Sequence, residues 1–298
     1  MNKKLHVKIA GLMLLSLGLA GCSQGEEDMS STEESSFAER ETSSSVARLT
    51  QQLRAYNASL GMSDVTTRMS RGDKIKIGVN DAFGAIRGYF GGGGIRGAII
   101  GGAVASIKAY IRKNFFPSVG GSLSDDWKTS TVISLNDGKR VFADSIGYYH
   151  NMVEDGLYKE GFYNVNHTTS EYLDRADVMM TSLSAGYRTQ GNAFQQVKPA
   201  ISSDIDRMSS IDNSLPFDEY CGKLKEITPS ASDHIDFVAE YLYQMVYGNV
   251  DDAEEYTRNV LYMIKNGNVD IDDANALFGA VQIGYASLKM SKNLKSNQ

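Results

Sequence analysis

The feature that most constrains this chain is a run of small residues at four-residue spacing. Gly84 and Gly88 form one pair, and Gly93, Gly97, Gly101 and Ala105 continue the rhythm. On a helix, positions i and i+4 share a face, so these residues make a smooth stripe that a second backbone can approach closely. Each glycine inside a helix costs about 1 kcal/mol relative to alanine, so close packing has to offset the loss. Gly91 to Gly94 are four consecutive glycines and form a natural break. The spacing therefore predicts two helices folded back on each other as an antiparallel hairpin.

The hairpin is also basic. Residues 71–116 carry eight basic side chains, Arg71, Lys74, Lys76, Arg87, Arg96, Lys108, Arg112 and Lys113, against Asp73 and Asp81. The segment resembles glycine-zipper segments of bacterial envelope proteins and membrane-active helices. That resemblance leaves two readings. One is a cationic hairpin that docks on, or inserts into, an anionic membrane. The other is a tightly packed hairpin that balances acidic partner helices. The uninterrupted apolar stretch from Gly97 to Ile107 is too short to span a bilayer alone, which needs about 20 residues, so the packed hairpin is preferred.

The flanking chain reads as all-α, with helical apolar periodicity nearly throughout. A first helix carries Val46, Leu49, Leu53 and Tyr56. Further stripes are Phe142, Ile146, Tyr149, Val153 and Leu157, then Leu173, Ala176, Met180, Leu183 and Tyr187. Thr168 and Glu171 have the spacing of a capping box. Pro199 is expected to introduce a helix, Pro216 another, and Pro229 with Ser232 a third. Gly248-Asn249-Val250-Asp251 recurs as Gly267-Asn268-Val269-Asp270, as expected of one turn used twice between three antiparallel helices. The last helix should present Leu277, Val281, Tyr285 and Leu288. Residues 130–142 read either as one short β-hairpin or as a helix start. The architecture expected is thus a Gly-rich helical hairpin followed by an antiparallel helix bundle.

The N-terminus carries an address. Lys3, Lys4 and Lys8 precede an apolar run that ends in Leu19-Ala20-Gly21-Cys22. This resembles the lipobox of bacterial lipoproteins, and the resemblance implies cleavage after Gly21, acylation of Cys22 and anchoring through its lipid. Ser23, rather than Asp, follows Cys22. The stretch Ser23-Gln24-Gly25-Glu26-Glu27-Asp28 resembles the acidic export signal of Bacteroidetes surface lipoproteins, which implies an outer-membrane, surface-exposed location over a periplasm-facing one. Residues 22–45, rich in Ser, Thr and Glu, read as a disordered tether. The organisation expected is a signal peptide at 1–21, the tether at 22–45, a helix plus hairpin at 46–116 and a helical domain at 117–298.

Without residues 1–21 the chain holds 27 basic and 36 acidic side chains, a net charge of −9 with histidine neutral. That field disfavours a nucleic-acid partner. The partners expected are the membrane, through the anchor, and an envelope or extracellular protein. With Cys22 acylated, Cys221 has no intramolecular partner, and its apolar phase with Phe217 and Leu224 predicts a buried thiol. Asp270, Asp272 and Asp273 suggest calcium, but the loop lacks the Gly and Glu of an EF-hand, so helix capping explains them better. His150 faces Glu154 one turn on, the one arrangement suited to acid–base chemistry, though a buried polar pair accounts for it more simply. His234 is expected at the surface. No catalytic, cofactor or metal residues are assigned. The function expected is a non-enzymatic binding or structural protein, ahead of a membrane-active protein using residues 71–116 and an enzyme centred on His150 and Glu154.

Overall fold

The computed structural model describes residues 44–62, 73–112, 145–162, 167–183, 191–248 and 252–296. Residues 42–298 form one compact unit. The described residues are helical and contain no strand, as an all-α fold requires. The signal peptide, nearly all of the tether and residues 130–142 lie outside the described residues.

Helix α1 (Ser45–Ser59) begins at Ser44, whose Oγ accepts the Ala47 N–H at 3.0 Å. Val46, Leu49 and Leu53 are buried. The Gly-rich segment follows as α2 (Asp73–Gly88), a π turn (Tyr89–Gly93) and α3 (Gly94–Arg112). In that turn Gly92 has φ 92° and Gly94 φ 53°, backbone that residues with a Cβ adopt only under strain.

The small-residue stripe does what its spacing predicts. A Cβ on Gly88 would stand 1.9 Å from the Gly97 carbonyl oxygen, and one on Gly97 would stand 2.2 Å from that of Gly88. One turn further on, Gly84 and Gly101 are related in the same way, at 2.3 Å in each direction. The two helices therefore touch backbone to backbone, closer than any side chain permits.

The remaining helices are α4 (Ile146–Lys159), α5 (Thr169–Leu183), α6 (Gly191–Ser209), α7 (Phe217–Ile227), α8 (Ser232–Tyr247), α9 (Ala253–Asn266) and α10 (Ile271–Ser296). A 3₁₀ turn, Pro229–Ala231, precedes α8. The capping box forms at α5: the Thr168 N–H donates to Glu171 Oε2 at 2.7 Å, and the Glu171 N–H to Thr168 Oγ1 at 3.3 Å.

α2, α3 and α10 make up the interior. Residues 75–86, 98–107 and 276–288 are buried without interruption, the mark of helices covered on every side. α10 was expected to show one stripe. It is buried all round because α2, α3, α4 and α8 each pack against it. α4 completes the inner group, while α5 and α6 cover α3 from outside, and α1 lies on α8 and α9. Asn57 holds α1 in place: its Nδ2 donates to Glu240 Oε1 at 2.7 Å, and its Oδ1 accepts the Tyr256 hydroxyl at 2.9 Å. Hairpin and C-terminal helices thus share one hydrophobic core.

Two local expectations change. Pro199 does not start α6 but lies inside it. The helix extends upstream because Phe194, fully buried, and Val197 pack against the hairpin turn at Gly91 to Gly93. The repeated turn is not used identically either. α9 is capped by Asp252, whose Oδ1 accepts the N–H groups of Glu254 and Glu255, both at 2.9 Å. α10 begins after Asp270, whose Oδ1 accepts only the Asp272 N–H, at 2.8 Å. The first copy caps one residue later.

Gly88→Ala should destabilise the body by about 1–3 kcal/mol or more, since neither carbonyl can move without separating the hairpin. Gly222→Ala, in α7 with nothing within 4 Å of its added Cβ, should stabilise by about 0.5–1 kcal/mol. Urea unfolding of both variants measures the contrast, and equal effects would mean the close approach is not limiting.

Candidate functional site: buried acids around the hairpin

The central helices are apolar with a few exceptions, and eight of these converge. Asp81 comes from α2, Ser106 and Tyr110 from α3, His150, Asn151 and Glu154 from α4, and Gln282 and Ser287 from α10; all are buried. Gly102 is the meeting point. A Cβ there would contact the Asp81 carbonyl oxygen, His150 Cδ2 and Ile283 Cγ2, each at 3.1 Å. Gly147 lets α4 settle onto α10 in the same manner: a Cβ there would stand 2.9 Å from the Gln282 carbonyl oxygen.

His150 and Glu154 do come together, as their spacing predicts, with His150 Nδ1 at 3.8 Å from Glu154 Oε2. They do not form an ion pair. Burial lowers the His150 pKa to about 4, opposed by its contacts with Asn151 and the Gly102 backbone. Burial also raises Glu154 well above the carboxylate range, and the neighbouring Asp81 adds to it. His150 Nδ1–H donates instead to Asn151 Oδ1 at 2.9 Å, and Ser106 donates to Glu154 Oε1 at 2.9 Å.

Asp81 is the residue that sequence reasoning missed. Burial pushes its pKa up to about 8. The Ser287 and Ser106 hydroxyls beside it pull the other way, without closing a hydrogen bond of normal geometry on either carboxyl oxygen. Glu154 Oε2, Asn151 Nδ2 and Ser287 Oγ also lack a protein partner. Each such group costs about 1–3 kcal/mol, against a net stability of about 5–15 kcal/mol for an ordinary domain. Ionised acids would cost far more, so the cluster is kept neutral by protonation. Part of the signal was present in the sequence: Ser106 interrupts a run of residues that is otherwise apolar or small, and Asn80-Asp81 puts two polar residues between Val79 and Ala82-Phe83. What sequence could not supply was their convergence.

The four described basic side chains of the hairpin are turned inward. Arg96, 1% exposed, donates through Nε to Asp177 Oδ1 at 2.7 Å and through Nη2 to the Asp177 carbonyl and Thr181 Oγ1. Arg87 Nε donates to Asp204 Oδ2 at 2.6 Å. Lys76 Nζ donates to the carbonyls of Asn213 and Leu215, and Lys108 Nζ stands 3.6 Å from Asp206 Oδ1. Arg71 and Lys113 lie outside the described residues, as do the side chains of Lys74 and Arg112. The run Ile75–Ile111 is long and apolar enough to cross a membrane by length and composition, and 72% of its most apolar window is buried in the body.

Cys221 is buried as expected, and burial raises its thiol pKa far above the ordinary value, which leaves it unreactive. Cys22 lies outside the described residues. His234 is not at the surface. It is 5% exposed, with Nε2 at 3.2 Å from Asp273 Oδ1 and its ring edge-on to Phe90 at 5.0 Å. The N-terminus of α8 faces that of α10 and the hairpin turn, which closes over His234. Among the described residues no group of three or more His, Cys, Asp and Glu side chains is arranged to hold a metal ion. Compared with protein-family models, curated proteins and solved structures, the chain matches none of them.

The pH dependence follows from the signs. Asp81 is raised from 3.8 to about 8, so its contribution to stability is full below about pH 4 and is lost as pH rises towards 8. Glu154 acts in the same direction. His150 acts oppositely: its contribution is full above pH 6.5 and is lost as pH falls towards 4. Stability should therefore fall from pH 6.5 to pH 8 by an amount on the order of a few kcal/mol, and Asp81→Asn should flatten that limb. Urea midpoints of both proteins across this range provide the measurement; an unchanged slope in the variant would show that Asp81 does not titrate there.

Proposed function

We propose that this chain is a lipid-anchored envelope protein, acylated at Cys22, whose helical body binds a partner rather than catalysing a reaction. Its location is the outer membrane, with the body facing outwards, supported by Leu19-Ala20-Gly21-Cys22 and the acidic run after it. One observation carries the reading of the body: the hairpin spends its chemistry internally. Its glycine face is filled by its own partner helix, and four of its basic side chains engage acids or carbonyls of α5, α6 and the α6–α7 connection.

The length and apolarity of Ile75–Ile111 favour a second reading, a membrane-active protein that releases this hairpin into lipid. It is weaker on energetic grounds. Release would strip Arg96 and Asp177 of their contacts, and breaking a buried charge pair costs about 3–5 kcal/mol. An enzyme centred on His150 and Glu154 is weaker again, because both groups are buried at 0–1% exposure and held neutral.

Cells expressing the protein should incorporate a labelled palmitate analogue into it, and Cys22→Ala should abolish both labelling and membrane fractionation. Protease treatment of intact cells should digest the body. Full protection would place it in the periplasm, and labelling of the alanine variant would refute anchoring at Cys22.

A further inference from the structure

The turn of the hairpin closes against two helix N-termini and leaves an acidic, aromatic surface. A ring of contacts defines it. The Tyr89 hydroxyl donates to Asp272 Oδ1 at 3.0 Å, and the Tyr89 and Phe90 rings meet edge to face at 5.6 Å. Phe90 meets the His234 ring at 5.0 Å, and His234 Nε2 reaches Asp273, the neighbour of Asp272. Asp233 and Asp270 flank this ring in the chain. Phe90 is 39% exposed and Ile271 46%, two of the four large apolar side chains that stand out from the described body.

The four carboxylates here are held by neutral donors. Asp233 accepts from the Ser44 hydroxyl, Asp272 from Tyr89 and Asp270 from a backbone N–H. Asp273 faces His234, whose pKa burial lowers despite both Asp273 and Asp233. Among the described residues, no lysine or arginine forms an ion pair with any of the four. Several other acids do have such partners among the described residues, Asp177 with Arg96, Asp204 with Arg87, Asp174 with Lys198, Asp236 with Lys225 and Glu254 with Arg258, while Asp218, Glu219, Asp252 and Glu255 do not; what sets this surface apart is that its acids gather around Phe90 and His234. His234 is the second sign of a built site. It is buried, directed at the acids, and its Nδ1 has no hydrogen-bond partner.

We infer that this surface, Tyr89, Phe90, Asp233, Ile271, Asp272 and Asp273, is where the body receives a cationic segment of a partner protein, with lysine or arginine flanked by an apolar residue. This rests on the binding-protein reading above and names its partner chemistry. Unpaired carboxylates supply long-range attraction and a preference for positive charge. Phe90 offers an exposed aromatic ring that attracts an ammonium or guanidinium group, and Ile271, exposed and next to Asp272 in the chain, offers apolar area. Ser44, the first described residue, donates to Asp233, so the surface lies beside the start of α1. An anionic membrane would be repelled by the same four charges.

The test uses the full-length lipidated protein in detergent micelles and a fluorescent peptide alternating lysine with leucine, followed by anisotropy. Asp233→Asn with Asp272→Asn keeps an acceptor for Ser44 and Tyr89 while removing two charges. This double variant and Phe90→Ala should each bind about tenfold more weakly, with affinity falling as salt rises. Asp218→Asn with Glu219→Gln, two exposed acids on α7, is the control and should bind as the parent does. Unchanged thermal melts of all the variants confirm that folding is not what is being read. Equal weakening by the control, or no peptide binding, overturns the inference. None of these results bears on anchoring at Cys22, which fails only if palmitate labelling fails.

Discussion

The fold depends on the contact between the α2 and α3 backbones at Gly84, Gly88, Gly97 and Gly101. At the separations found there, a single methyl group on any of the four would overlap a carbonyl oxygen of the other helix. Close approach makes the hairpin narrow, and a narrow hairpin can be enclosed by other helices. α10 then reaches it at Gly279, near Ala98, α4 reaches it where His150 lies beside Gly102, and Gly147 seats α4 on α10. Dispersion between backbones packed this tightly offsets the helix propensity that so many glycines forfeit.

Enclosure sets a second condition, because everything the hairpin carries must be satisfied inside. Arg96, Arg87 and Lys108 are met by Asp177, Asp204 and Asp206 on the covering helices α5 and α6, and Lys76 by two backbone carbonyls. Its buried acid, Asp81, meets no cation and is kept neutral alongside Glu154. The two solutions differ because the cations sit where α5 and α6 cover the hairpin, whereas Asp81 faces α4 and α10. A positive segment and an acidic remainder, each unfavourable in isolation, become complementary once packed. At the hairpin turn, where Phe90 is exposed, the packing leaves an acidic ring without a lysine or arginine partner among the described residues.

Much of this was legible beforehand. The hairpin, its break at Gly91 to Gly94 and the pairing of its glycine faces follow from four-residue spacing. The stripes of α1, α4 and α5, the capping box at Thr168 and the buried Cys221 follow from period and local chemistry. Other features were not legible. Pro199 looked like a helix start because local rules disfavour proline in a helix interior, yet the packing of Phe194 against the hairpin turn outweighs that preference. His234 looked exposed because its first-turn position says nothing of the hairpin turn that closes over it. Asp252 replaced Asp251 as a cap because one register caps two N–H groups.

By itself, the sequence determined the helical class and the hairpin, which rest on periodicity and spacing; the address proposed at Cys22 rests on a short contiguous motif alone. Only the tertiary structure decided which polar groups meet. Asp81, Ser106, His150, Glu154 and Ser287 are spread over more than two hundred residues of chain, and no local rule relates them. The same holds for Phe90, His234 and Asp272 at the hairpin turn. Their chemistry depends on burial and on facing charges. These are properties of a packed interior, and they exist only once the helices have closed around the hairpin.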